Sequence, residues 1–158
     1  MKLMQETVER IKTNINSING GYMKQNIYDD TEFSTQYDNL RMKEKGRNAN
    51  DLIEIPNFRK LMPEVKGKSI LELGCGYGEN DKFYKEQGAK YVLGIDISKH
   101  MIEEANKANK IDGIDFKVME MEEISNINYK FDIVMSSLAF HYIENFEKLI
   151  KDINKILE

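Results

Sequence analysis

The chain has 158 residues, 41% hydrophobic and 32% charged, enough for one modest core under a solvated surface. A mean hydropathy of -0.59 and the lack of an apolar run near roughly 18 residues speak against a transmembrane helix, and MKLMQETVER has no apolar stretch of the kind a secretory signal needs. The net charge of -4 disfavours broad nucleic-acid binding, and a single cysteine, Cys75, allows no internal disulfide, which fits a cytoplasmic location.

Met4, Val8, Ile11, Ile15 and Ile18 recur at intervals of four and three, so a first helix is expected from Leu3 to Ser17, ended by Gly20 and Gly21. A polar stretch follows from Tyr28 to Arg47, and then a weak helical pattern to Leu61. Charge then shifts. Residues 1–67 carry 11 basic and 10 acidic side chains, whereas residues 68–158 carry 12 and 17. Both prolines, Pro56 and Pro63, lie just before the change. This places a boundary near residue 67, between an N-terminal helical extension (1–67) and a core (68–158).

From there the pattern is regular. Ser69–Leu73 is a short apolar run, hence a buried strand, and Glu79 to Gln87 is helical with Gly88 closing it. Tyr91–Ile95 is a second strand. Ser98 caps a helix whose one face carries Met101, Ile102 and Ala105. Ile114–Met119 and Phe131–Met135 are third and fourth strands, and Asn145 caps a last helix with Phe146, Leu149, Ile150, Ile153, Ile156 and Leu157 as its stripe. Strands alternating with helices predict an α/β fold, a doubly wound, mostly parallel, Rossmann-like sheet.

The most informative stretch is LELGCGYGE at Leu71–Glu79, where a strand turns into a helix. Gly74, Gly76 and Gly78 alternate, so bare backbone can approach a ligand at a helix N-terminus. A dinucleotide fingerprint needs G-x-G-x-x-G, but its last position here is Glu79, a carboxylate where a pyrophosphate would lie. A nucleoside cofactor without phosphates fits better. Asp96 ends the second strand 18 residues after Gly78, where a carboxylate can accept both ribose hydroxyls.

The stretch Ser69–Gly78, together with Gly94–Ser98, resembles motif I and the acid that follows it in class I S-adenosylmethionine-dependent methyltransferases, with Glu72 and Asp96 as the two acids. Phe116–Ile124 is similar to that family's third strand and its exit, and Phe131–Tyr142 to its fourth strand and loop. Upstream, Tyr37 and Arg41 resemble the tyrosine and arginine that precede the core in the small-molecule branch. The resemblance implies S-adenosylmethionine as cofactor and S-adenosylhomocysteine as product. It implies binding by Tyr37, Arg41, Glu72, Gly74, Cys75, Gly76, Gly78, Asp96, Ile97 and Met101, then by Glu120, Met121 and Glu122 near adenine, and by Ser136, Ser137 and Leu138 near the methionine part. Asp96 would hold the ribose and Arg41 the cofactor's carboxylate.

Methyl transfer from a sulfonium needs mainly proximity and alignment, and a base only when the acceptor must lose a proton. His141, after the fourth strand, is the candidate catalytic base, with a structural histidine as the alternative. His100 is expected to be exposed and Cys75 to be a small buried residue of the turn. No zinc-ligand spacing occurs. The expected function is methyl transfer to a small-molecule acceptor, with no nucleic-acid or membrane partner. A non-catalytic cofactor-binding fragment or interaction domain is the alternative, and an NAD-binding oxidoreductase a more remote one. Class I enzymes usually have seven strands and four are legible here, so a truncated domain or fragment is expected. Its fourth strand would be an unpaired edge, and that edge or the N-terminal helix could support a homo-oligomer.

Overall fold

A computed structural model describes residues 26–43 and 45–158. The helix expected over 3–17 lies outside the described residues. Five α-helices, α1 (Thr31–Lys43), α2 (Ile55–Leu61), α3 (Glu79–Glu86), α4 (Lys99–Ala108) and α5 (Phe146–Ile156), accompany four strands, β1 (Ser69–Leu73), β2 (Tyr91–Asp96), β3 (Ile114–Val118) and β4 (Ile133–Met135). Short 3-10 turns at Ile27–Asp29, Met121–Asn126 and Phe140–Tyr142 and a π turn at Asn50–Glu54 complete the described elements.

The sheet is parallel in the order β3-β2-β1-β4. Ser69 pairs with Tyr91, Ile70 with Ile133, and Val92 with Ile114. All five β1 residues are buried, because helices cover both faces of a parallel sheet. Side chains alternate across the pleat. Leu71 and Leu73 join Ile95, Phe131, Leu149 and Ile153 on the α5 face, whereas Ile70 joins Tyr84, Ala89, Val92 and Val65 on the other. Glu72, two residues from Ile70, therefore faces the α3 side. Order reverses between β1 and β4, and in open α/β sheets such a switch point opens a crevice at the strands' carboxyl ends.

Two caps read from the sequence are present. Ser98 Oγ accepts from the Met101 N–H at 3.1 Å, and Asn145 Oδ1 from the Lys148 N–H at 2.9 Å. Such caps each contribute on the order of 1 kcal/mol.

Most of the polar stretch forms α1. Asp30 starts that helix, its carboxylate accepting from the Phe33 N–H at 2.9 Å and its carbonyl from the Ser34 N–H at 2.8 Å. The cap and the spacing Phe33, Tyr37, Leu40 were local signals; the surrounding polar residues obscured them. The fourth strand is shorter than expected. Phe131 lies outside it and makes a parallel bridge to Leu157 on the side of β4 away from β1. Among the described residues, Ile133–Met135 pairs only with β1.

Candidate functional site

The glycine loop leaves β1 and folds over the end of β2. The Gly74 and Cys75 N–H groups both donate to the Ile95 carbonyl, at 2.8 and 3.0 Å. Gly74 has φ +74°, and a Cβ there would lie 2.5 Å from Ala139 Cβ, so only glycine lets the loop after β4 pack down at this point. Gly78, at φ +72°, is the N-cap of α3, and its missing Cβ makes room for the Phe116 ring. Cys75 is buried, and burial followed by the nearby acids Asp81 and Asp96 pushes its thiol well up, which leaves an inert small residue.

Asp96 joins the loop to the end of β2. Its Oδ2 accepts from the Gly76 N–H at 3.0 Å and its Oδ1 from the Ser98 N–H at 2.9 Å. Burial raises its carboxyl, and these two donors offset part of the rise. Beside it opens a recess of about 420 Å³, lined by Asn26, Ile97, Val118, Met119, Glu120 and Glu123. That volume falls in the range of small-ligand clefts, roughly 300–1,000 Å³. Asn26 Nδ2 reaches the Ile97 carbonyl at 3.3 Å, while its Oδ1 is buried with no donor among the described residues.

The sequence-predicted residues divide into groups. Gly76, Asp96, Ile97 and Glu120 meet at or beside the recess. Glu123 lines it, whereas Glu122 gives its carbonyl to Lys148 Nζ at 3.3 Å. Met101 is 3% exposed and buried within the fold. Met121 packs beside Gly74. Ser136 Oγ donates to the Leu73 carbonyl at 2.9 Å, and Ser137 Oγ to Glu54. Leu138 is exposed and holds φ +52°, a left-handed backbone rare for a branched side chain. His141 is exposed in the turn after β4, its ring centroid 4.0 Å from that of Tyr142.

Tyr37 lies on α1 with its ring stacked on Tyr77 of the glycine loop, centroids 6.1 Å apart. Arg41 pairs with Glu79 and lies 3.5 Å from Asp51. The carboxylate that spoke against a pyrophosphate is thus engaged by an arginine 38 residues upstream. His100, expected to be exposed, is half-buried with Nε2 3.1 Å from Asp38 Oδ2. The correction follows from α1 covering it.

Glu72, expected at the cofactor, instead lies in a second buried group whose other members, Asp81 and Tyr84, were not legible in the sequence. Glu72 and Asp81, 2% and 0% exposed, lie with Tyr84 beneath the loop. Among the described residues no donor reaches either Asp81 oxygen or Glu72 Oε2; Asn80 Nδ2 is 3.4 Å from Glu72 Oε1. Burial pushes Asp81 up to about 7, with close approach of the Glu72 carboxyl offsetting a part. Burial and then the Asp81 charge hold Glu72 well above the usual carboxylate range. Gly94 on β2 admits this group, since a Cβ there would lie 2.6 Å from Asp81 Oδ1.

Comparison with known proteins gives this arrangement its class. The methyltransferase domain family model matches residues 71–158. A solved S-adenosylmethionine-dependent methyltransferase from Mesorhizobium loti is 35% identical with a TM-score of 0.61, over 66% of this chain and 49% of that one. An uncharacterised Haemophilus influenzae protein is 36% identical over 137 residues, 83% of this chain and 53% of the relative. The ribosomal protein L11 methyltransferase of Thermotoga neapolitana is 28% identical over 91 residues, 58% of this chain and 33% of that protein. The chain belongs to the S-adenosylmethionine-dependent methyltransferase family. It spans about half the length of the Haemophilus relative and a third of the Thermotoga one. Among the described residues, no helix is long and apolar enough to cross a membrane.

Proposed function

We propose that the crevice between Asp96, the glycine loop and the recess is the cofactor site of a methyltransferase acting on a small molecule. The supporting observation is Asp96. Each of its oxygens already accepts one backbone N–H and keeps a second lone pair for a hydroxyl. A vicinal diol offers two hydroxyls at that spacing. Asn26 and Glu120 line the recess with side chains that carry acceptor oxygens suited to an exocyclic amino group, so the residues present fit an adenosine moiety. When bound, S-adenosylmethionine supplies an activated methyl group on a sulfonium.

The chain's own part is to bind and align. Gly74 keeps the backbone close to whatever lies over the loop, and Ala139 and Met121 pack against it. Ser136 and Ser137, their hydroxyls spent on Leu73 and Glu54, hold the loop after β4 in place. Alignment alone can account for much of the acceleration of a displacement whose leaving group is already good. His141 is the proposed base for an acceptor that must lose a proton.

Two features support a small acceptor. Tyr37 and Arg41 stand next to the glycine loop, as the small-molecule resemblance implies. The recess presents Glu120 and Glu123, which would repel a polyanion. A protein acceptor is the second reading, favoured by the relative named for ribosomal protein L11. Calorimetry with S-adenosylhomocysteine tests the site: micromolar binding is expected, and no binding to folded protein overturns it. Homocysteine-coupled screening of metabolites against purified proteins then separates the acceptors.

A further inference from the structure

The segment in front of the core makes few apolar contacts with it. Among the described residues, none of α1 belongs to either buried hydrophobic cluster. Its one buried described residue is Ser34, and Leu40 is exposed. Elements held this way sit at the low-stability end of a fold and open first.

Polar and ring contacts hold the segment instead, and they converge on the elements that frame the candidate site. Asp29 accepts from Ser98 Oγ at 2.6 Å and from the His100 and Lys99 N–H groups at 3.0 and 3.3 Å. It is thus a second cap on α4, supplied from about 70 residues upstream. Asp38 accepts from the Tyr77 hydroxyl, between Gly76 and Gly78, and its other oxygen lies 3.1 Å from His100 Nε2. One carboxylate therefore ties α1 to the glycine loop and to α4 at once. The Tyr28 and Tyr37 rings meet edge to face, centroids 5.2 Å apart, and Tyr37 stacks on Tyr77. The Tyr28 hydroxyl reaches that of Tyr142 beyond β4 at 3.3 Å.

We propose that residues 26–43 form a lid over the cofactor site and that Asp38 is its latch, a positioning residue that holds Tyr77 and His100 together. This rests on the cofactor reading above. The latch closes the crevice from the side opposite the sheet, and a bound nucleoside leaves only when the Asp38 contacts open.

Three variants, Asp38→Ala, Tyr77→Phe and the two combined, test this against wild type. Stopped-flow measurement of S-adenosylhomocysteine dissociation should show about a tenfold faster rate for Asp38→Ala, the range for losing a hydrogen bond to a charged group. Tyr77→Phe should give a smaller rise, and the double variant should match Asp38→Ala alone, because both remove the Tyr77–Asp38 bond. Hydrogen exchange over 31–43 should speed up in the ligand-free Asp38→Ala protein and slow when the ligand binds wild type. Unchanged dissociation rates, or effects that multiply, overturn the latch. Absence of ligand protection over 31–43 overturns the lid. If wild type does not bind S-adenosylhomocysteine, the cofactor reading fails, and unaltered exchange in the free variant separately disproves the latch. If Asp38→Ala does not fold, His100→Gln, which removes the latch's other partner, should raise the dissociation rate as Tyr77→Phe does, and an unchanged rate overturns the latch.

Discussion

Asp96 and Asp81 are both buried carboxyls beside the glycine loop, and their surroundings are opposite. Asp96 ends a strand, where the turning backbone of the loop and the start of α4 aim N–H groups at it. Asp81 lies in the first turn of α3, where no donor among the described residues hydrogen-bonds its oxygens, and it faces another acid and a phenol. Burial raises both carboxyls; at Asp96 the Ser98 and Gly76 N–H groups offset part of it, whereas at Asp81 the Glu72 carboxyl is the largest offset. Donors aimed in from neighbouring turns, more than depth, thus separate a satisfied acid from one that strains the fold.

Four experiments bear on that contrast. The largest effect is expected from Asp96→Ala: S-adenosylhomocysteine affinity should fall by about 100-fold, since two charge-assisted hydrogen bonds and the loop's anchor disappear together. A calorimetric loss under about threefold would show that Asp96 is no more a ligand group than Asp81. Gly94→Ala comes next. Its Cβ would meet Asp81 Oδ1 at 2.6 Å and Phe116 at 2.8 Å, so denaturant unfolding should report a loss of about 2 kcal/mol. Adding Asp81→Ala should restore part of it; no restoration would place the clash at Phe116 alone.

Asp81→Asn tests the strained acid itself. The folded state holds a proton on Asp81 up to about pH 7, whereas an unfolded aspartate releases it near 3.8. Its contribution is therefore full below about pH 4 and is lost as pH rises through about 7. The variant should flatten this slope and be more stable than wild type at pH 8 by about 1–2 kcal/mol. Parallel pH–stability curves would break the contrast. The smallest change is expected from Asn80→Ala. Its bond to Glu72 is long, at 3.4 Å, so the thermal midpoint should move by only about 1–3 °C. A larger drop would show that Glu72 depends on a donor as Asp96 does.

Much of this molecule was legible because its determinants are local. The glycine spacing, the Ser98 and Asn145 caps and the strands each depend on residues within a few positions of one another. The missed features are bonds between distant residues. Asp38 and His100 are 62 positions apart, Arg41 and Glu79 are 38, and Asn26 and Ile97 are 71. Tyr28, Asp38, Tyr77 and Asn26 read alone as ordinary polar residues, and nothing near them in the chain announces a partner.

Local chain order alone sets the alternation of strands and helices, the turn at Gly74–Gly78 and the placing of an acid at the end of β2. Periodicity, φ freedom and capping act over one or two turns of chain, and they carry the family resemblance with them. Which acids receive donors, the meeting of Glu79 with Arg41, and the lie of the segment before the core across the glycine loop emerge from packing between distant residues. Those outcomes depend on burial and on donors arriving from elsewhere in the chain, and packing alone brings them together.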